Sequence, residues 1–143
     1  MKKPFLILIS AALAFGSQSC KDKPTIPEYP CVNGKLLGTT CDGRYLIQVD
    51  TASQHQIGLV LNFQGDAGIS LPGPAAQLRV YNNVISTATP LPPAMRRGQT
   101  FYFQYKSVPA TSRPCTANVV YYEAPQFDLV ATSDVSCSSL LPE

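Results

Sequence analysis

The chain contains no tryptophan, a single histidine and two methionines among its 143 residues. His55 has no other His or Cys at ligand spacing, so no zinc site is expected, and a general base would still need a positioned nucleophile and orienting group. Glycine-rich loops that cradle phosphates or dinucleotides are absent. The run Gly68-Ile69-Ser70-Leu71-Pro72-Gly73 has the wrong spacing for a nucleophile elbow. Beyond residue 30 the acids are Asp42, Asp50, Asp66, Glu123, Asp128, Asp134 and Glu143, and none forms the pair of a glycosidase or the alternation of a calcium loop. Charged residues make up only 14% of the chain, against about 25% in an average soluble domain. Eleven basic side chains face nine acidic ones, too even a balance for a nucleic-acid binder held by phosphate contacts. Thirteen prolines disfavour a helical bundle. The expectation is a protein that is not an enzyme, with no cofactor, no metal and no nucleic-acid partner.

The N-terminal segment has three parts. Lys2 and Lys3 supply positive charge, Phe5 to Phe15 is apolar apart from Ser10, and Gly16-Ser17-Gln18-Ser19 is small and polar. This is the pattern of a secretory signal. The apolar stretch falls well short of the ~20 residues that a membrane-spanning helix needs. Five cysteines follow: Cys20, Cys31, Cys41, Cys115 and Cys137. An odd number in an exported chain leaves one unpaired, and four can form two disulfides in an oxidising compartment.

With Ser19 directly before Cys20, residues Met1 to Cys20 resemble a bacterial lipoprotein precursor. Ser17 stands where such precursors commonly carry leucine, and the same bond also suits an ordinary signal peptidase. The resemblance implies cleavage before Cys20, acylation of that cysteine (palmitate among the chains), and attachment to a membrane in the cell envelope. Residues 1–19 are then a signal peptide, and 20–30 are a lipidated cysteine followed by a proline-rich tether. Losing Lys2 and Lys3 leaves nine basic and nine acidic residues, a net-neutral mature chain.

Residues 31–143 read as one β-domain. Period-two rows recur: Tyr45, Ile47 and Val49; Ile57, Leu59, Leu61 and Phe63; Leu78, Val80 and Val84, with Arg79 and Tyr81 opposite; Phe101, Phe103 and Tyr105; Val119 and Tyr121; Phe127, Leu129 and Ala131. Cys41-Asp42-Gly43-Arg44 predicts a tight turn, and Asp66 also reads as a turn former. Six or seven short strands imply all-β architecture, a small barrel or a sandwich. Gly34 to Cys41, Tyr45 to Val49, and Leu91 to Gln99 leading into Phe101-Tyr102-Phe103 resemble the OB-like domain of small Bacteroidota lipoproteins. The expected fold is therefore a disulfide-stapled, OB-like barrel, with an immunoglobulin-like sandwich as the alternative.

A strand over 32–40 would hold Cys31 and Cys41 about 30 Å apart at roughly 3.3 Å per residue, too far for a bond. An OB order then favours Cys41–Cys137 and Cys31–Cys115, although four cysteines allow three pairings. The candidate ligand surface is Tyr102, Tyr122 and Arg79, since tyrosines facing away from a core can stack on sugars or anchor a protein. The expected role is binding or structural, at the membrane through the anchor, toward an envelope protein or glycan. A small envelope hydrolase and an accessory subunit of an envelope assembly are the alternatives.

Overall fold

The computed structural model describes residues 29–53, 55–111, 114–116 and 119–140. The signal segment, Cys20 and the tether as far as residue 28 lie outside the described residues. Six strands form one antiparallel sheet: β1 (Cys31–Thr39), β2 (Tyr45–Val49), β3 (Leu59–Phe63), β4 (Arg79–Thr87), β5 (Thr100–Ser107) and β6 (Phe127–Ser133). Their order is β3-β4-β2-β1-β5-β6. The only other regular elements described are two short 3-10 turns, Thr51–Ser53 and Ser138–Leu140.

The chain is all-β, and its sheet is not a closed barrel. With β3 set aside, the order β4-β2-β1-β5-β6 bends until β4 and β6 meet at one parallel bridge, Ser86 to Gln126. That is a partly open, OB-like arrangement.

The middle of the sheet is buried on both faces, as the adjacent apolar pairs Leu36-Leu37 and Leu46-Ile47 require. Neighbouring residues on a strand point to opposite sides. Leu36, Ile47 and Ile85 stand side by side across β1, β2 and β4. They join Val32, Val49, Phe101, Phe103 and Leu129 in one core, plugged by Leu91 and Met95 from the β4–β5 connection. Leu37 and Leu46 point the other way and meet Leu61, Phe63, Tyr81, Val84 and Tyr122 in a second core. The β3–β4 hairpin and the segment before β6 cover that second face.

The row predicted for the start of β4 is inverted. Leu78 and Val80 are 74% and 60% exposed, while Tyr81 is buried. Asn83 sits at φ 56° and inserts an extra residue, so that Leu61 faces Tyr81 but Leu59 faces Val84. This bulge puts Tyr81 and Val84, three residues apart, into the same core, which strict alternation cannot do. The Asn83 side chain caps the distortion: its Oδ1 accepts the N–H groups of Ile57 and Gly58 at 3.0 and 2.7 Å. The strand expected at Val119 and Tyr121 is also absent. That segment is irregular and is fixed by side chains instead of a ladder.

All four body cysteines are paired, but not as expected. The bonds are Cys31–Cys137 and Cys41–Cys115, with Cα separations of 5.8 and 5.7 Å. The register explains the correction. Cys31 lies opposite Gln104 and Gln104 opposite Ala131, so the end of β6 stands level with the start of β1, not its end. A short turn then returns Cys137 to Cys31. The Cys41 end is left to Cys115, on the loop leading to the irregular segment. Disulfides of this kind belong to an oxidising, extracytoplasmic compartment.

Two substitutions test the packing. Phe103 is fully buried, and its ring lies 5.3 Å from Phe101 and 6.2 Å from Tyr105. Phe103→Ala should cost about 3–5 kcal/mol in urea unfolding. A methyl at Gly38 would run into the Phe63 ring and the Asp66 carboxylate. Gly38→Ala should cost about 1–3 kcal/mol through overpacking, whereas Gly43→Ala, with open space around it, should be penalised only for its φ of 82°.

Candidate functional site

The three residues expected on a ligand surface separate. Tyr122 is 2% exposed and belongs to the second core, with its ring 5.4 Å from Phe63. Its hydroxyl accepts the N–H of Gln64 and donates to the carbonyl of Gly65, each at 3.0 Å. It clamps the end of β3 and has no face to offer a ligand. Its neighbour Tyr121, 39% exposed, is the tyrosine of this segment that reaches solvent. Tyr102 is half-buried on β5, between Asn33 of β1 and Ser133 of β6. Arg79 is exposed at the start of β4, with its guanidinium 4.6 Å above the Tyr81 ring. Tyr102 and Arg79 line no common cleft among the described residues.

The most buried ionic cluster is structural. Arg44 is 5% exposed and its Nε lies 2.8 Å from Asp42 Oδ2. Its other nitrogens donate to Ser86 Oγ at 3.4 Å and Tyr121 OH at 3.3 Å. Thr40 Oγ1 donates to Asp42 Oδ1 and accepts the N–H of Arg44. Burial pushes the Asp42 carboxyl up, but the hydrogen bonds from Arg44 and Thr40 and the charge of Arg44 together hold it below the ordinary carboxylate value. Every polar group here is engaged inside the protein. The cluster ties the β1–β2 turn to β4 and to the irregular segment, next to the Cys41–Cys115 bond. It offers no free nucleophile.

Two open clefts flank β1. The first, about 260 Å3, is polar and lies over Asn33, Lys35, Gln48, Asp50, Thr51 and Thr100. Asp50 accepts the N–H of Ala52 at 3.0 Å and the Asn33 amide at 3.1 Å. Those two bonds, the backbone one first, lower its pKa. His55 is exposed and lines neither cleft; its backbone carbonyl accepts the Asn83 amide at 2.8 Å.

The second cleft, about 160 Å3, runs between β1, the start of β4 and the loop at residues 74–77. Lys35, Arg79 and Arg97 line it together with the apolar side chains of Pro74, Ala75 and Ala76. Arg97 holds its wall together. It forms an ion pair with Asp66 and donates from Nη1 to the Pro74 carbonyl at 3.1 Å. Asp66 also accepts the N–H groups of Thr39 and Leu71 at 3.0 and 3.3 Å, so it does more than shape a turn. Lys35 and Arg97 were missed as site residues. Their one sequence signal was the basic pair Arg96-Arg97 beside a glycine, which carries no information about which strand it will face.

Among the described residues no three His, Cys, Asp or Glu side chains group to hold a metal ion. No protein-family model matches the chain, and no curated protein matches it.

Arg44→Met should cost about 3–5 kcal/mol at pH 7, because it leaves Asp42 charged and buried. A depressed carboxyl stabilises the fold at pH above its unfolded value and loses that contribution as pH falls through its lower folded value. Urea unfolding of the two proteins should therefore differ most near neutrality and converge in acid. A gap that is constant with pH would assign the loss to packing alone.

Proposed function

We propose that this chain is a lipid-anchored β-domain of the bacterial cell envelope with a binding role, held to its membrane through Cys20. One observation carries the reading. Cys31, Cys41, Cys115 and Cys137 are consumed pairwise inside the folded body, which leaves Cys20, directly after the signal-like segment, as the one sulfur without an intramolecular partner. In such a modification a diacylglyceryl group is joined to that sulfur through a thioether. The modification adds several acyl chains, and a stable hold needs more than one. No helix among the described residues is long and apolar enough to cross a membrane, so an anchor of this kind is consistent with the fold. The two open clefts beside β1 support binding over catalysis, since neither brings together a base, a nucleophile and an orienting group.

A second reading, an accessory subunit of an envelope assembly, is favoured by the apolar exposure around the edge strand β3. Leu59 and Val60 are 54% and 64% exposed, and Val80, opposite Asn62 on β4, is 60% exposed. An edge of this kind lacks the charge that usually guards against strand addition.

Cys20→Ala should move the protein from the membrane to the soluble fraction in its native host without changing the unfolding of the body. Mass spectrometry of the mature N-terminus should find acylated Cys20. A free Cys20 thiol, or an intact Met1 leader on a reduced chain, would rule the anchor out.

A further inference from the structure

We infer that the cleft between β1, β4 and residues 74–77 is a binding site for an acidic saccharide, with Arg79 and Lys35 taking its anionic group. The inference rests on the binding role proposed above and names the site and the ligand class.

Charge placement is the first ground. Among the described residues, the cations without an ion-pair partner are not scattered. Of the described basic side chains, Arg44, Arg97 and Lys106 each have a carboxylate within ion-pair distance. Lys35, Arg79 and Arg96 have none among the described residues. Lys35 and Arg79 line the same cleft, and Arg96 precedes Arg97 in its wall. The nearest acid outside the cleft, Asp50, feels the charge of Lys35 but is held by Ala52 and Asn33. Asp66, the acid nearest the wall, is already committed to Arg97. A ligand anion would therefore meet cationic groups and no free carboxylate.

The second ground is construction. The cleft is braced on purpose-built contacts, not left between mobile side chains. Arg97 N donates to the Pro72 carbonyl at 2.9 Å and Gly98 N to the Leu36 carbonyl at 2.8 Å, which tie the wall to both the loop and β1. Gly73, at φ 126°, lets the loop pass close to the Arg97 backbone. The Arg79 guanidinium carbon sits 4.6 Å from the centroid of the Tyr81 ring, a cation–π contact that positions the guanidinium without using its hydrogen-bond donors.

Shape selects the class. A volume of about 160 Å3 is below the roughly 300–1,000 Å3 of sites that enclose a drug-sized ligand. It takes one ring of a longer chain, with the rest outside. The apolar side chains of Pro74, Ala75 and Ala76 along one wall suit the apolar face of a sugar ring, and the guanidinium of Arg79 suits a carboxylate or phosphate on its rim. A neutral sugar would leave both cations unused, and a bare inorganic anion would leave the apolar wall unused.

The test uses the full exported chain in detergent and follows tyrosine fluorescence and calorimetry. The probes are an oligogalacturonate, the matching neutral galactose oligomer, a phosphorylated monosaccharide and inorganic phosphate. Binding of an acidic sugar, weakened by salt, is expected, with the neutral oligomer and inorganic phosphate at least about tenfold weaker. Preference between the uronate and the phosphorylated sugar identifies the anion. Arg79→Gln and Lys35→Gln should each lose about tenfold, while Lys106→Gln, outside the cleft, should lose nothing. Both cleft residues are exposed, so the variants should unfold like the parent. Equal binding of the neutral oligomer, binding untouched by Arg79→Gln, or no binding of any acidic sugar would overturn the site. Those outcomes leave the Cys20 anchor standing, because it is read from membrane partitioning and mass alone.

Discussion

Everything in this fold follows from one strand pair having to be buried twice. Leu36 and Leu37 on β1, and Leu46 and Ile47 on β2, are neighbours in sequence and so point to opposite faces, yet all four are at most 5% exposed. A flat sheet with one wet side cannot accommodate them. The solution here is asymmetric. On one face the sheet curls, bringing β4 toward β6 and folding Phe101, Phe103 and Leu129 over Leu36 and Ile47. On the other it is covered by an extra strand and an irregular segment, which supply Phe63 and Tyr122 to Leu37 and Leu46. The sheet stays open because the second face already spends β3 as a lid.

That lid explains where the specialised residues sit. Gly38 is needed because the Phe63 ring crosses β1 there. Asn83 takes a positive φ so that β4 can change phase, serving the lid at Tyr81 and the curl at Ile85. The irregular segment cannot hold itself with a ladder, so it is pinned at three points: Tyr122 to β3, Tyr121 and Ala124 to Arg44 and Ser86, and Cys115 to Cys41. The second disulfide closes the other weak end, where the chain leaves β6.

Much of this was legible. The rows at Tyr45 to Val49, Leu59 to Phe63 and Phe101 to Tyr105 became strands, and Asp42-Gly43 became a turn, because alternation and positive-φ tolerance are local properties. The failures were non-local. The phase at Leu78 to Tyr81 depended on a bulge two residues beyond Tyr81, whose asparagine is ordinary in sequence. Tyr122 was read as a surface residue because its partners, Gln64 and Gly65, lie more than fifty residues away. The cysteine pairing turned on which end of β1 stands level with β6, and that register passes through β5. The cleft beside β1 was half visible, in Arg79, and its remaining lining could be assembled only once the loop at residues 74–77 had been placed.

The charge pattern connects fold to function. Cut before Cys20, the chain would be net neutral and would exert little pull beyond a Debye length of about 8 Å at physiological salt, so it would gather no ligand by long-range steering. Whatever discrimination it has must come from contact. Of the six described basic side chains, three are neutralised by Asp42, Asp66 and Asp128. Two of the other three line one cleft, and the third lies beside its wall. If the chain is tethered at a surface where ligand is already dense, local concentration replaces steering. Neutrality would then be an advantage, because a neutral body would not be drawn onto an anionic membrane surface, and its unpaired cations would stay available to a ligand.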